Sequence, residues 1–227
     1  MSDETTTQMQ EPSVLDEITG ASLNRRKFLI GSGALAGLAL VTAACGSDDD
    51  EGADDAPAGE EPSGDASGDL AVAQLAAGLE VLAVDTYDKA LTAATSGALG
   101  AVPPAVATFV TTAKAHHEEH LAAWNKVITD AGEDEVTTAN TTLQPTVDTA
   151  LAGAKTIGDA AKLALLLEQI AAQTYLSAIP SLVSDDAVTL AGQIQIVDQQ
   201  HQAILLFALG MYPVPEVFQK TDMAATS

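Results

Sequence analysis

The chain is poor in cysteine, in aromatic side chains and in positive charge. Cys45 is the only cysteine among 227 residues, which excludes an intramolecular disulfide and a cysteine-built metal cage. Aromatic residues make up only 4%, so any core has to be built from Ala, Leu, Val and Ile. Nine Lys and Arg stand against 32 Asp and Glu, a net charge of −23. Such a balance argues against nucleic acid, which needs a basic footprint, and against electrostatic attraction to anionic lipid. There is no Gly-rich phosphate loop and no nucleophile elbow, and the four histidines leave none for a Ser–His pair. Common nucleotide and hydrolase chemistries therefore have no support. No stretch shows convincing strand alternation.

What is present divides unevenly along the chain. Residues 23–45 read LNRRKFLIGSGALAGLALVTAAC. The run after the basic residues is short and Gly-interrupted for a membrane-spanning helix, and its charge lies on the N-terminal side. The RR-x-F-L pattern resembles a twin-arginine export signal. TAAC resembles a bacterial lipoprotein cleavage box, with Thr42 where Leu is usual, and that resemblance implies lipidation at Cys45. Ordinary cleavage nearby is the alternative. Residues 46–69 hold ten carboxylates, no basic residue and no large apolar side chain; this composition reads as an extended, disordered acidic tether. Residues 70–227 carry 17 Asp and Glu against 6 Lys. The domain organisation expected is a signal peptide with its cleavage box over 1–45, the tether over 46–69, a helical domain over 70–210 and an extended tail over 211–227, laid on the domain through Tyr212, Val214 and Phe218.

Within 70–210 the apolar residues recur at helical spacing in four long segments. These cover about 70–95, 103–132, 157–179 and 186–210, with a short helix near 146–154 between the second and third. The first two and last two are joined by short connections, and a crossover of about 25 residues links the pairs. LEVLAVDTY (79–87) in the first and LEQIAAQTY (167–175) in the third share L-E-x-x-A-x-x-T-Y. HHEEHLAAW in the second and VDQQHQAIL in the fourth align on His120 and His201. The chain reads as a duplicated helical hairpin.

At 100° per residue, Glu80 lies within about 60° of Ala73, Ala76, Val84 and Tyr87, and Glu168 equally near Ala161, Ala164, Ala172 and Tyr175. His120 lies in the apolar stripe of the second helix, with His116 and His117 on opposite margins; angle does not decide which of those two turns inward. Glu118 and Glu119 point away. On the fourth helix His201 shares a stripe with Ile194 and Leu205, and Asp198 is on its margin. Buried carboxylates are costly unless paired or bound to metal. Six such groups near mid-helix, Glu80, His117, His120, Glu168, Asp198 and His201, could converge at one level. Carboxylate with imidazole suits Fe, Mn, Zn or Cu. Tyr87 and Tyr175 read as core rings whose hydroxyls find partners, Trp124 as core, and His116 as the edge of the site or surface.

This pattern resembles the ferritin-like family, and within it bacterial ferritin-like envelope proteins. The resemblance implies an all-α, antiparallel four-helix bundle with one long crossover. It also implies a dimetal site made from one Glu on each of two helices and Glu-x-x-His on the other two. Glu80 and Glu168 match the single Glu positions; His120 and His201 match the two His positions. The i, i+3 spacing then favours His117 over His116. The chain departs from the pattern where His117 and Asp198 replace the two Glu residues. Neutral imidazole has one free lone pair and cannot bridge as a carboxylate does, and three carboxylates leave two divalent ions under-neutralised. A mononuclear site is easier to build.

Two functions follow as expectations. One is an exported, lipid-anchored protein on the outer side of the cytoplasmic membrane with a buried His/carboxylate metal site, engaged in Fe oxidation or peroxide handling. The other is a non-catalytic envelope bundle in which Glu80 and Glu168 pair with protonated His120 and His201, without metal, in a stress or binding role. The expected partner is the membrane, through the anchor; a homo-oligomer is compatible with either.

Overall fold

A computed structural model of the chain describes residues 66–226. The Arg25–Arg26 pair, Cys45 and residues 46–65 lie outside the described residues. Among the described residues there are five α-helices and one 3-10 turn: α1 (Ala66–Thr95), α2 (Pro104–Asp130), α3 (Gln144–Gly153), α4 (Ile157–Ala178), the turn Ile179–Ser181, and α5 (Asp185–Ala208). No strand occurs among the described residues.

The helix boundaries follow from local chemistry. Proline at the first turn starts α2, where its missing N–H costs nothing. Thr156 and Asp159 form a reciprocal capping box on α4, and Ser184 caps α5 by accepting from the Ala187 amide. Gly97, at φ 79°, ends α1. The amides of Ala98 and Gly97 return to the carbonyls of Ala93 and Ala94, a left-handed close that a side chain would strain.

α1 begins four residues earlier than the sequence suggested. Residues 66–69, assigned above to the tether, belong to the bundle. Asp69 is buried, and its carboxylate accepts from the Val183 and Ser184 amides at 2.9 and 2.8 Å. These are donors at the start of α5, where orphan amides and the helix dipole favour a negative charge. The contact also places the starts of α1 and α5 at the same end of the bundle.

α1 pairs with α2 and α4 with α5 as hairpins, and α1 and α4 run antiparallel through the centre. Their antiparallel course is visible in two crossed hydrogen bonds, Tyr87 to Glu168 and Tyr175 to Glu80. The crossover does more than connect. The side chain of Asn125 on α2 pairs with both backbone groups of Val136, and the Asn140 amide donates to the Gly78 carbonyl at 2.9 Å. Leu143 and Val147 then pack on Leu79, Leu82, Leu163 and Ile170, closing the α1/α4 face. α1 is long and apolar enough to cross a membrane by composition; here that apolar surface is spent on bundle contacts.

The tail also departs from expectation. Tyr212, Val214 and Phe218 are exposed. The tail is held instead by Met223 and Ala225, whose amides donate to the side chains of Gln173 and Thr174 on α4 at 2.8 Å each. The side chains of Met223 and Ala225 also pack on the α1/α4 cluster, whereas the larger apolar side chains of the tail stay in solvent.

Candidate metal centre

Four helices deliver ionisable groups to mid-bundle: Glu80 from α1, His117 and His120 from α2, Glu168 from α4, and Asp198 and His201 from α5. Glu80, His117, Glu168, Asp198 and His201 are buried, Asp198 completely. His120 is partly covered, with 12% of its side chain exposed. The order on α2 is therefore the reverse of the angular expectation: His117, on the margin of the stripe, is the deeper ring. His117 is drawn inward by Glu80 on α1 and Glu168 on α4 together, partners that one helix's stripe does not register.

His117 sits between the two glutamates. Its Nδ1 is 2.6 Å from Glu80 Oε2 and its Nε2 is 3.2 Å from Glu168 Oε1. His120 Nδ1 lies 3.6 Å from Glu80 Oε2, and His201 Nδ1 3.2 Å from Glu168 Oε1. The metal-free pairing foreseen between the glutamates and His120 and His201 is thus joined by His117, which is closer than His120 at Glu80 and as close as His201 at Glu168.

The tyrosines exchange between repeats. Tyr87, from the first hairpin, donates to Glu168 Oε1 at 2.6 Å. Tyr175, from the second, donates to Glu80 Oε1 at 2.5 Å and accepts from Trp124 Nε1 at 2.9 Å. Both hydroxyls orient the glutamates, and Gln202 anchors α4 by donating to the Glu168 carbonyl. His116, exposed, stacks on His201 at 5.2 Å between centroids, with its Nδ1 3.0 Å from His201 Nε2. Sequence reasoning left His116 at the edge; the signal it carried was its place on the margin facing α5. Glu118 and Glu119 are exposed as expected.

Burial by itself would raise the glutamate pKa values. The charge and hydrogen bonds of His117 outweigh it, with help from His120 at Glu80 and from His201 at Glu168, and hold both at about 2. Burial pushes His117 down, but Glu168 and Glu80 outweigh it and raise the ring well above the usual imidazole value. Asp198 is driven the other way: burial first, then the charges of Glu168 and Glu80, raise it well above the ordinary carboxylate range. Two ionised carboxylates thus share one imidazolium, and a third carboxyl beside them resists ionising.

Whether a metal fits is answered by unpartnered atoms. Among the described residues, six buried side-chain atoms lack a hydrogen-bond partner: His120 Nδ1, Glu168 Oε2, both Asp198 oxygens, Gln199 Nε2 and His201 Nδ1, the last keeping only its 3.2 Å ion-pair contact with Glu168. Such orphans are rare and costly. All but the Gln199 amide nitrogen are atoms of the kind that ligate first-row transition metals. Two overlapping groups are positioned to bind an ion: His117, Glu168, Asp198 and His201, and Glu80, His117 and His120, the ligand atoms in each lying within 4.8 Å of one another. A cavity of about 20 Å³ lies on the other side of Glu80, His117 and Glu168, against Leu79, Leu143 and Ile170, and does not reach His120, Asp198 or His201. The donor set fits.

The family model described as a ferritin-like domain matches residues 68–211. The chain belongs to the ferritin-like family. No curated protein and no solved structure matches it. The family match spans all four long helices and thus the whole of this ferritin-like site, including the positions where His117 and Asp198 stand.

Proposed function

We propose that this ferritin-like chain is an exported metalloprotein of the bacterial envelope, carried by a twin-arginine signal and anchored through lipid at Cys45. It holds one transition-metal ion among His117, Glu168, Asp198 and His201. The observation that supports the ion is Asp198, fully buried with neither oxygen partnered, beside Glu168 Oε2 and His201 Nδ1 in the same condition. One cation answers all four atoms. Glu80 differs, since both its oxygens are already engaged.

The chain's own groups prepare that site. Tyr87 fixes the Glu168 carboxylate, His116 holds the outer nitrogen of His201, and Phe109 sets its ring edge against His201 at 5.9 Å, which keeps water off that side. His117 and Asp198 must each give up a proton to ligate. Bound Fe or Mn supplies redox chemistry, used here for Fe²⁺ oxidation or peroxide consumption; Zn in the same set is structural.

Metal analysis of protein purified from its native export route tests the reading. A stoichiometric metal that is lost in His201→Ala and Asp198→Leu is the expected result. A content of Fe, Mn, Zn and Cu near zero, unchanged by those substitutions, overturns it. Oxygen or peroxide consumption on adding Fe²⁺ then separates the redox form from a structural site. A second reading has its own support: the short contact of His117 with Glu80 and its reach to Glu168 make a self-sufficient ion network, suiting a non-catalytic bundle with a stress or binding role.

A further inference from the structure

The two ends of the duplicated bundle are not packed alike. At the end where α1 and α5 start, Trp124, Tyr175, Ile128 and Leu182 close the core over Ala73 and Ala76. At the opposite end lies a cavity of about 530 Å³, bounded by the end of α1, the start of α2, the start of α4 and the end of α5. Ala161 and Ala164 line it, and they stand seven and four residues before Glu168 as Ala73 and Ala76 stand before Glu80. Leu205, four residues after His201, takes the place that Trp124 takes after His120. The fold therefore can fill this space and, at this end, does not.

The lining dictates what could enter. It contains no charged side chain. Its two polar side chains are already engaged: Thr86 donates to the Leu82 carbonyl at 2.7 Å and Tyr87 to Glu168 at 2.6 Å. Water finds no set of partners there, and an extended polypeptide would bring backbone N–H and C=O groups with nothing to pair with. The volume is that of ordinary small-molecule sites. We propose that this cavity binds an uncharged, hydrocarbon-like molecule with an alkyl chain. Its mouth is framed by Ile204 and Phe207, both exposed, and its inner wall is the Tyr87 ring and Leu167. Tyr87 meets Phe109 edge-on at 6.3 Å, so one layer of side chains separates the cavity from Glu168 and His201. Binding here does not depend on a metal being present.

The test uses the full chain carrying Cys45→Ser in detergent-free buffer, titrated with the neutral fluorophore N-phenyl-1-naphthylamine. The expected result is saturable one-site binding, displaced by 1-hexadecanol. Filling the cavity with Ala164→Phe, or with Leu205→Trp as at the closed end, should weaken binding at least tenfold while helical circular dichroism is kept. Phe218→Ser, on the exposed tail, should change nothing. In the chain with neither filling substitution, 1-hexadecanol should shift the alanine-methyl NMR signals of Ala161 and Ala164 and leave Ala73 and Ala76 in place, a readout independent of whether the filled variants fold. Non-saturable binding, no displacement, unchanged binding in a folded filled variant, loss of binding in Phe218→Ser, or methyl shifts at both ends or neither would each overturn the proposal.

Discussion

Trp124 stacks on Tyr175 with 6.1 Å between centroids and donates to its hydroxyl; at the opposite end, Tyr87 has a cavity beside it and Leu205 where the indole would be. A parallel contrast runs through the polar centre. His117 in the first hairpin satisfies two glutamates, whereas Asp198, its counterpart in the second, satisfies nothing. The duplication supplied two equal frames. One end of the bundle closes its own core with residues of both hairpins, and His117 pairs its own charge. The other end keeps open space, and Asp198 keeps two unpartnered oxygens.

The sharpest way to break this comparison is to replace the two counterpart residues by leucine in chelator-treated protein. His117→Leu leaves two buried carboxylates without their cation and should cost about 3–5 kcal/mol in denaturant unfolding. Asp198→Leu removes an unpartnered acid and should be neutral or stabilising by about 1 kcal/mol, while abolishing metal binding. Equal costs would dissolve the distinction. Next come the two ends: Trp124→Ala should cost about 3–5 kcal/mol and Leu205→Ala, beside space already open, about 2 kcal/mol, by the same unfolding curves.

The pH dependence is of the order of 1.4 kcal/mol per pH unit for each proton exchanged. The glutamates, lowered from 4.5 to about 2, contribute stability that is present above pH 4.5 and is lost as the pH falls toward 2. His117 is raised, so its contribution is complete below the unfolded imidazole pKa and is lost as the pH rises through the folded one. Metal requires the deprotonated ring and a deprotonated Asp198, so metal uptake should release protons and tighten with pH. Calorimetry in buffers of different ionisation enthalpy measures that release; uptake without it contradicts the assignment of His117 and Asp198. The smallest effect is expected at the cavity's mouth, where Phe207→Ser should stay within about 0.5 kcal/mol, because that ring is 74% exposed.

Much of this was legible beforehand because helical periodicity and repetition are local. The four long helices, the short α3, the duplication on L-E-x-x-A-x-x-T-Y and the inward set Glu80, Glu168 and His201 could be read from spacing, whereas Asp198 stood only on the margin of its stripe. The depth of His117 relative to His120 could not, since it depends on where three helices meet rather than on one helix's stripe. Asp69 looked like one more acid in an acidic run, yet the amides that hold it belong to residues 183 and 184, far away in sequence. Tyr87 and Tyr175 announced themselves as a repeated pair; that each serves the other repeat's glutamate follows only from the antiparallel course of α1 and α4. Tyr212, Val214 and Phe218 look like anchors by composition, but the tail docks through Met223 and Ala225, by their amides and by their packing on the α1/α4 cluster.

By itself, the sequence determined an acidic, cysteine-poor, all-helical bundle with six ionisable groups at mid-helix, because burying apolar stripes at a 3.6-residue period leaves few other solutions. Tertiary structure alone decided which of those groups pay one another's desolvation and which remain unpaired, and where packing stops short. Those outcomes are set by distances of a few ångströms between side chains on different helices, and no spacing along one chain segment encodes them.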